Sequence, residues 1–161
     1  LNLYTQESVS KFPEAYFGNY KGELTIINRN GTQTIDMEFN FKSTDSIGKY
    51  VYQIVYIIEG KRQERNYNLI TQDASKGDYI IDENNGILLT AKQIENRLYS
   101  VFEVNGNLLF TTETFYDDYM LFEIIFSNKK EKARSGAFVE NQPEVLSYPV
   151  TVSQRAKLIK H

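Results

Sequence analysis

Asp36-Met37-Glu38-Phe39-Asn40-Phe41-Lys42 alternates polar and apolar side chains one for one. In an extended chain that repeat puts Met37, Phe39 and Phe41 on one face and the polar residues on the other, whereas a helix would space its apolar positions three to four apart. The stretch predicts a strand with one buried and one wetted face. Tyr67 and Leu69 alternate with Asn66 and Asn68 in the same way. Outward from these segments the chain is broken by Asn30-Gly31, Glu59-Gly60, Asn84-Asn85-Gly86, Asn105-Gly106 and Asp117-Asp118. Each reads as a hairpin connection, and Asn-Gly suits a type I′ turn, whose two central residues both need positive φ.

Strands are expected at 16–28, 33–42, 49–58, 63–71, 78–82, 87–95, 97–104, 108–115, 119–127 and 145–158. Only 5–15 has room for a turn or two of helix, and Pro13 interrupts it. Strands joined by short hairpins make an antiparallel meander, and a sheet this long curls until its edges meet. The expected fold is therefore all-β, a single antiparallel up-and-down barrel of about 8–10 strands, covering 1–161 as one domain. The 12 Tyr and 10 Phe, with no Trp, suit pleated and half-buried surfaces.

Composition removes much chemistry. There is no Cys, and the one His is His161, so thiolate nucleophiles, disulfides, His-based triads and Cys/His metal sites are set aside. Haem would need a tyrosine ligand in an open cavity. Phosphate-cradling glycine motifs are missing, and Asp82-Glu83-Asn84-Asn85-Gly86 has Gly fifth, not sixth as a calcium loop requires, so it reads as a turn. No cofactor and no metal is assigned. With 18 basic against 21 acidic residues the chain offers no positive field for nucleic acid. The apolar runs from Ile54 to Ile58 and from Met120 to Phe126 are far below the roughly 18 residues of a membrane-spanning helix. A start at Leu1 leaves room for a removed signal peptide and hence an extracytoplasmic location, without arguing for either.

The first strand carries Phe17-Gly18-Asn19-Tyr20-Lys21-Gly22-Glu23-Leu24. A Gly two residues before an aromatic, in the first long strand of such a barrel, resembles the G-x-W signature of the calycins, the lipocalin and fatty-acid-binding-protein superfamily, with Tyr in place of Trp. The resemblance implies a lipocalin-like barrel in which Tyr20 plugs one end and a basic residue near the last strand packs across it. Arg155 is the candidate for that partner. The phase shared by Val150, Val152, Ala156 and Leu158, however, sets Arg155 on the opposite face. Gly18 and Gly22 also read as points where a strand bends at a barrel corner.

With Tyr20 and Leu24 pointing inward, the candidate ligand-binding residues are Tyr20, Phe39, Phe41, Tyr52, Tyr56, Tyr67, Phe102, Phe110 and Phe122. Glu103, Glu113 and Glu123 lie on the phase opposite Phe102, Phe110 and Phe122 and are expected outside, so no catalytic residue is assigned. The leading expectation is non-enzymatic binding of a small hydrophobic or amphipathic ligand, with affinity from apolar burial and orientation from tyrosine hydroxyls. A second is a filled barrel that meets a protein partner. Its contact would be the strand from Tyr50 to Ile58, apolar on both faces through Val51, Val55 and Ile57, or the polar loop from Asn128 to Gln142. A third is an acid–base enzyme of isomerase or lyase type. A cavity above roughly 300 Å³ would favour the binder, and a buried carboxylate beside a tyrosine would favour the enzyme.

Overall fold

The computed structural model describes residues 11–161. The helical turn expected within 5–15 falls partly outside them, and a 3-10 turn, Glu14–Tyr16, follows Pro13. Ten strands then close an antiparallel barrel. They are β1 Gly18–Asn28, β2 Gly31–Ser43, β3 Lys49–Ile58, β4 Lys61–Asp73, β5 Asp78–Asp82, β6 Leu88–Ile94, β7 Arg97–Val104, β8 Asn107–Phe115, β9 Tyr119–Asn128 and β12 Val150–Lys160. Successive strands are neighbours from β1 to β9, and β12 fits between β9 and β1 to complete the ring.

Turn chemistry sets the register. Glu59-Gly60 and Asn105-Gly106 have both residues at positive φ, 51° and 75° in the first and 50° and 78° in the second, the type I′ requirement. Asn30-Gly31 differs from expectation: the loop residues are Arg29 and Asn30, and the positive φ of 123° falls on Gly31, already paired with Asn28. The segment from Asn128 to Gln142 is not one open loop, because β10 Ala133–Gly136 pairs with β11 Glu144–Ser147 in a separate hairpin. Pro149, which has no N–H to give to a ladder, separates β11 from β12, so the stretch expected as one final strand is two.

Closure depends on Gly22. It pairs with Leu158 across the β1–β12 seam, and a Cβ there would run into the Lys157 backbone carbonyl. The interior end reached by the start of β1 is sealed with rings. Tyr16 stacks on Phe115 with centroids 5.3 Å apart, Phe12 meets Tyr79 edge-on at 5.3 Å, and Phe17 meets Phe41 at 5.5 Å. Each fully buried ring such as Phe39, Phe41 or Phe115 stabilises the fold by roughly 1.5–3 kcal/mol through burial alone.

The apolar outer side of β3 is partly covered by its own neighbours. Arg62 on β4 donates to both carboxylate oxygens of Glu38 on β2, so this pair bridges the intervening strand near Val55, which is fully buried. Asn40, Gln53 and Asn66 make a parallel chain of amide hydrogen bonds over the same three strands. Long polar side chains thus lie along the apolar surface at Val55, while Val51 and Ile57 on the same face stay half-buried.

Candidate functional site

Away from the ring plug the barrel is less filled. A cavity of about 150 Å³ is lined by Tyr52, Tyr56, Tyr67, Phe102, Thr111, Glu113, Phe122 and neighbouring aliphatic residues. Strand direction and burial give it a floor and a mouth. Tyr52, Glu113 and Phe122 are almost wholly buried, whereas Arg65, exposed, and Glu83, half-buried, stand at the outer rim.

Register explains the occupants. Phe41, Tyr52 and Tyr67 lie side by side across β2, β3 and β4, and the Tyr52 and Tyr67 rings stack at 6.3 Å with 15° between their planes. On β8 the inward positions are Leu109, Thr111 and Glu113. Leu109 faces Phe102 of β7 and Glu113 faces Phe122 of β9 in the ladders.

Two expectations are corrected on this strand. Phe110 pairs with Val101 and Ile125 on the outer wall and is 41 % exposed, so it does not reach the interior. Glu113 is 1 % exposed and points inward. The reason is one of phase. Phe102 shares a face with Leu109, not with Phe110, so the run Leu108-Leu109-Phe110 contains apolar residues of both faces and gives no alternation to read. Glu103 and Glu123 are outside as expected, paired at 2.7 Å with Lys129 and at 2.9 Å with Arg155.

Glu113 is the chemical centre of the cavity. Its Oε1 accepts the hydroxyl hydrogen of Tyr52, while Oε2 is buried without a hydrogen-bond partner among the described residues. Burial raises its pKa from the ordinary 4.5 to about 7, against the opposing pull of the Tyr52 hydrogen bond. Burial, and then the adjacent Glu113 charge, push the Tyr52 phenol well above its usual value. Tyr56 is pushed up to about 12 by burial and by Tyr67, and Tyr67 is raised by burial and by Glu83. All three phenols stay protonated near neutrality and can donate or accept.

The remaining sequence candidates sit elsewhere. Tyr20, Phe39 and Phe41 are fully buried in the packed half; the Tyr20 hydroxyl donates to the Tyr16 carbonyl at 2.5 Å. Arg155 does not cross Tyr20, since it lies on the outer wall with Glu123. Lys160 does: it faces Tyr20 in the ladder and its Nζ lies 5.9 Å from the ring centroid. Its stem lies directly beside Gly18, in the space a side chain there would share. Lys160 shares the inward phase of Ala156 and Leu158, a signal already present in the sequence.

Among the described residues there is no group of three His, Cys, Asp or Glu side chains that could hold a metal, and no helix long and apolar enough to cross a membrane. No protein-family profile matches the chain, and no curated protein matches it either.

Proposed function

We propose that this protein is a non-enzymatic carrier or sensor of a small amphipathic molecule, held inside a calycin-like barrel. The observation that carries the reading is the interior cavity, open at its Arg65 and Glu83 rim, with a bare, buried carboxylate oxygen in its lining. A barrel evolved only as a solid support would fill that space with carbon, because burying an unpartnered polar group costs about 1–3 kcal/mol. The Lys160–Tyr20 contact beside Gly18 supports the calycin likeness.

Size limits the cargo. About 150 Å³ is below the roughly 300 Å³ at which drug-sized pockets begin, and cavities near 150 Å³ hold a benzene-sized body. One ring or a short chain fits, with any remainder passing the Arg65 and Glu83 rim. The test is a thermal-shift titration with toluene and benzyl alcohol, on the native protein and on Thr111→Phe, which fills the middle of the cavity. Stabilisation in the native protein that disappears in a folded Thr111→Phe supports the reading. No stabilisation of the native protein at millimolar probe returns the barrel to the solid, partner-binding alternative.

The hydrogen-bonded Glu113–Tyr52 pair favours a second reading, acid–base catalysis on the bound molecule, because a carboxyl that titrates near neutrality can both take and return a proton. Hydrogen–deuterium exchange into a bound carbonyl probe such as acetophenone separates the two. A carrier leaves its α-hydrogens at the uncatalysed rate.

A further inference from the structure

We propose that the ligand is a small organic monocation, a protonated amine on a one-ring or short apolar body, whose N–H donates to Glu113 Oε2 among the rings of Tyr52, Tyr56 and Tyr67. This rests on the binding reading above and specifies its chemistry.

Three features of the cavity converge on that class. The first is the unmatched acceptor. Glu113 Oε1 is already engaged by Tyr52, and Oε2 is the one buried side-chain polar atom among the described residues left without a partner. An ammonium supplies both the missing donor and the missing opposite charge, and hydrogen bonds between ionised partners are about twice as strong as neutral ones. The second is the wall. Three tyrosines line the same space, and aromatic faces attract cations, most strongly where water is excluded. The third is the charge count. Of the ionisable groups lining the cavity other than its phenols, Arg65 and Glu83 are opposite in sign and less buried than Glu113, and no cation pairs with the Glu113 carboxylate at the floor among the described residues. A lone carboxylate is a poor site for an inorganic cation, since calcium needs about 6–8 oxygen ligands, but one carboxylate oxygen and aromatic faces suffice for an amine.

The groups that face Glu113 from its surroundings are Tyr52 and Tyr56 on β3, Arg65 and Tyr67 on β4, and Glu83 just after β5; its ladder neighbours on β7 and β9, Leu98 and Phe122, are apolar. None of the three phenols changes charge in the range where Glu113 titrates, so the pH dependence of amine binding reports on Glu113. An amine binds the ionised carboxylate, and each pH unit below about 7 therefore lowers its affinity up to tenfold.

The experiment is calorimetric titration of the full chain with benzylamine, benzyl alcohol and toluene at about pH 8 and again near pH 5.5, where the amine remains protonated. Benzylamine is expected to bind at least tenfold more tightly than benzyl alcohol at the higher pH. That preference should shrink on acidification and vanish in Glu113→Gln. Tyr67→Leu, which leaves the carboxyl in place, should weaken benzylamine more than toluene. If benzyl alcohol binds as tightly as benzylamine, the cation class is wrong while the cavity remains a binding site. If the preference survives in Glu113→Gln, the ammonium is held elsewhere and the assignment fails. If none of the three probes binds, the binding reading itself falls.

Discussion

Replacing Glu113 by Gln should reverse the usual cost of altering a buried residue once the solution is alkaline. The carboxyl is fully enclosed, and its pKa rises from the 4.5 expected of an exposed glutamate to about 7 on folding. A raised folded-state value means the fold prefers the neutral acid. The associated stability is complete below the unfolded value and is lost as pH climbs through the folded one. At 1.36 kcal/mol per pKa unit the interval is worth roughly 3 kcal/mol, all of it withdrawn by about pH 8.5. Glutamine keeps the shape and an oxygen to accept from Tyr52, and it never ionises. The difference in unfolding free energy between variant and native protein should therefore move by roughly 3 kcal/mol in favour of the variant between about pH 4 and 8.5. For a chain of 161 residues that corresponds to a relative shift of about 6–12 °C in Tm. Urea unfolding of both proteins across the range, with the profiles subtracted so that surface carboxylates cancel, measures it. Parallel profiles would refute the reasoning, because they require a Glu113 that titrates like an exposed residue.

Tyr52→Phe removes the donor to Glu113 Oε1, so the carboxyl should titrate still higher and the fold should lose about 1–3 kcal/mol where Glu113 is ionised; a carbon-13 NMR titration of the Glu113 carboxyl reads the first effect and urea unfolding the second. Gly22→Ala should destabilise by about 1–3 kcal/mol, since the new methyl group meets the Lys157 carbonyl at the closing seam, and amide exchange should quicken along β1 and β12 first. Phe110→Ser on the outer wall should cost about 1–2 kcal/mol through lost packing on Val101 and Ile125 but leave toluene binding unchanged, whereas Phe102→Ser, inside the cavity, should weaken toluene binding; the toluene-induced thermal shift compares the two.

The barrel was legible because its evidence is local and redundant. Met37, Phe39 and Phe41 alternate without exception, and five turn signals divide the meander at the right places, so a one-residue error at Asn30-Gly31 does not disturb the topology. The hairpin formed by β10 and β11 was not legible. Arg134 and Glu144 pair across it at 3.2 Å, but a four-residue strand without an apolar stripe leaves no period to detect. The partner of Tyr20 was misplaced for a related reason. Residue type alone points to Arg155, whereas the phase that already excludes it runs through Ala156 and Leu158 and continues to Lys160.

Glu113 shows where periodicity misleads at the candidate site. Phase arguments assume that the apolar member of a strand faces in, and β8 breaks that assumption with an outward Phe110 and an inward carboxylate. The same break gives the cavity its chemistry. The packed half of the barrel, plugged by Tyr16, Phe115 and their neighbours, supplies the stability that a buried acid withdraws, and it begins directly beside that acid, with Phe115 two residues beyond Glu113 on β8 and the Phe39 ring 4.9 Å from the Tyr52 ring. A cost of roughly 3 kcal/mol is tolerable for a fold held by so many buried rings, and it is returned when a counter-charge enters the cavity. On the proposed reading, binding and stability are linked through one side chain. A ligand that neutralises Glu113 should raise the unfolding temperature most where the empty protein is weakest, on the alkaline side of neutrality.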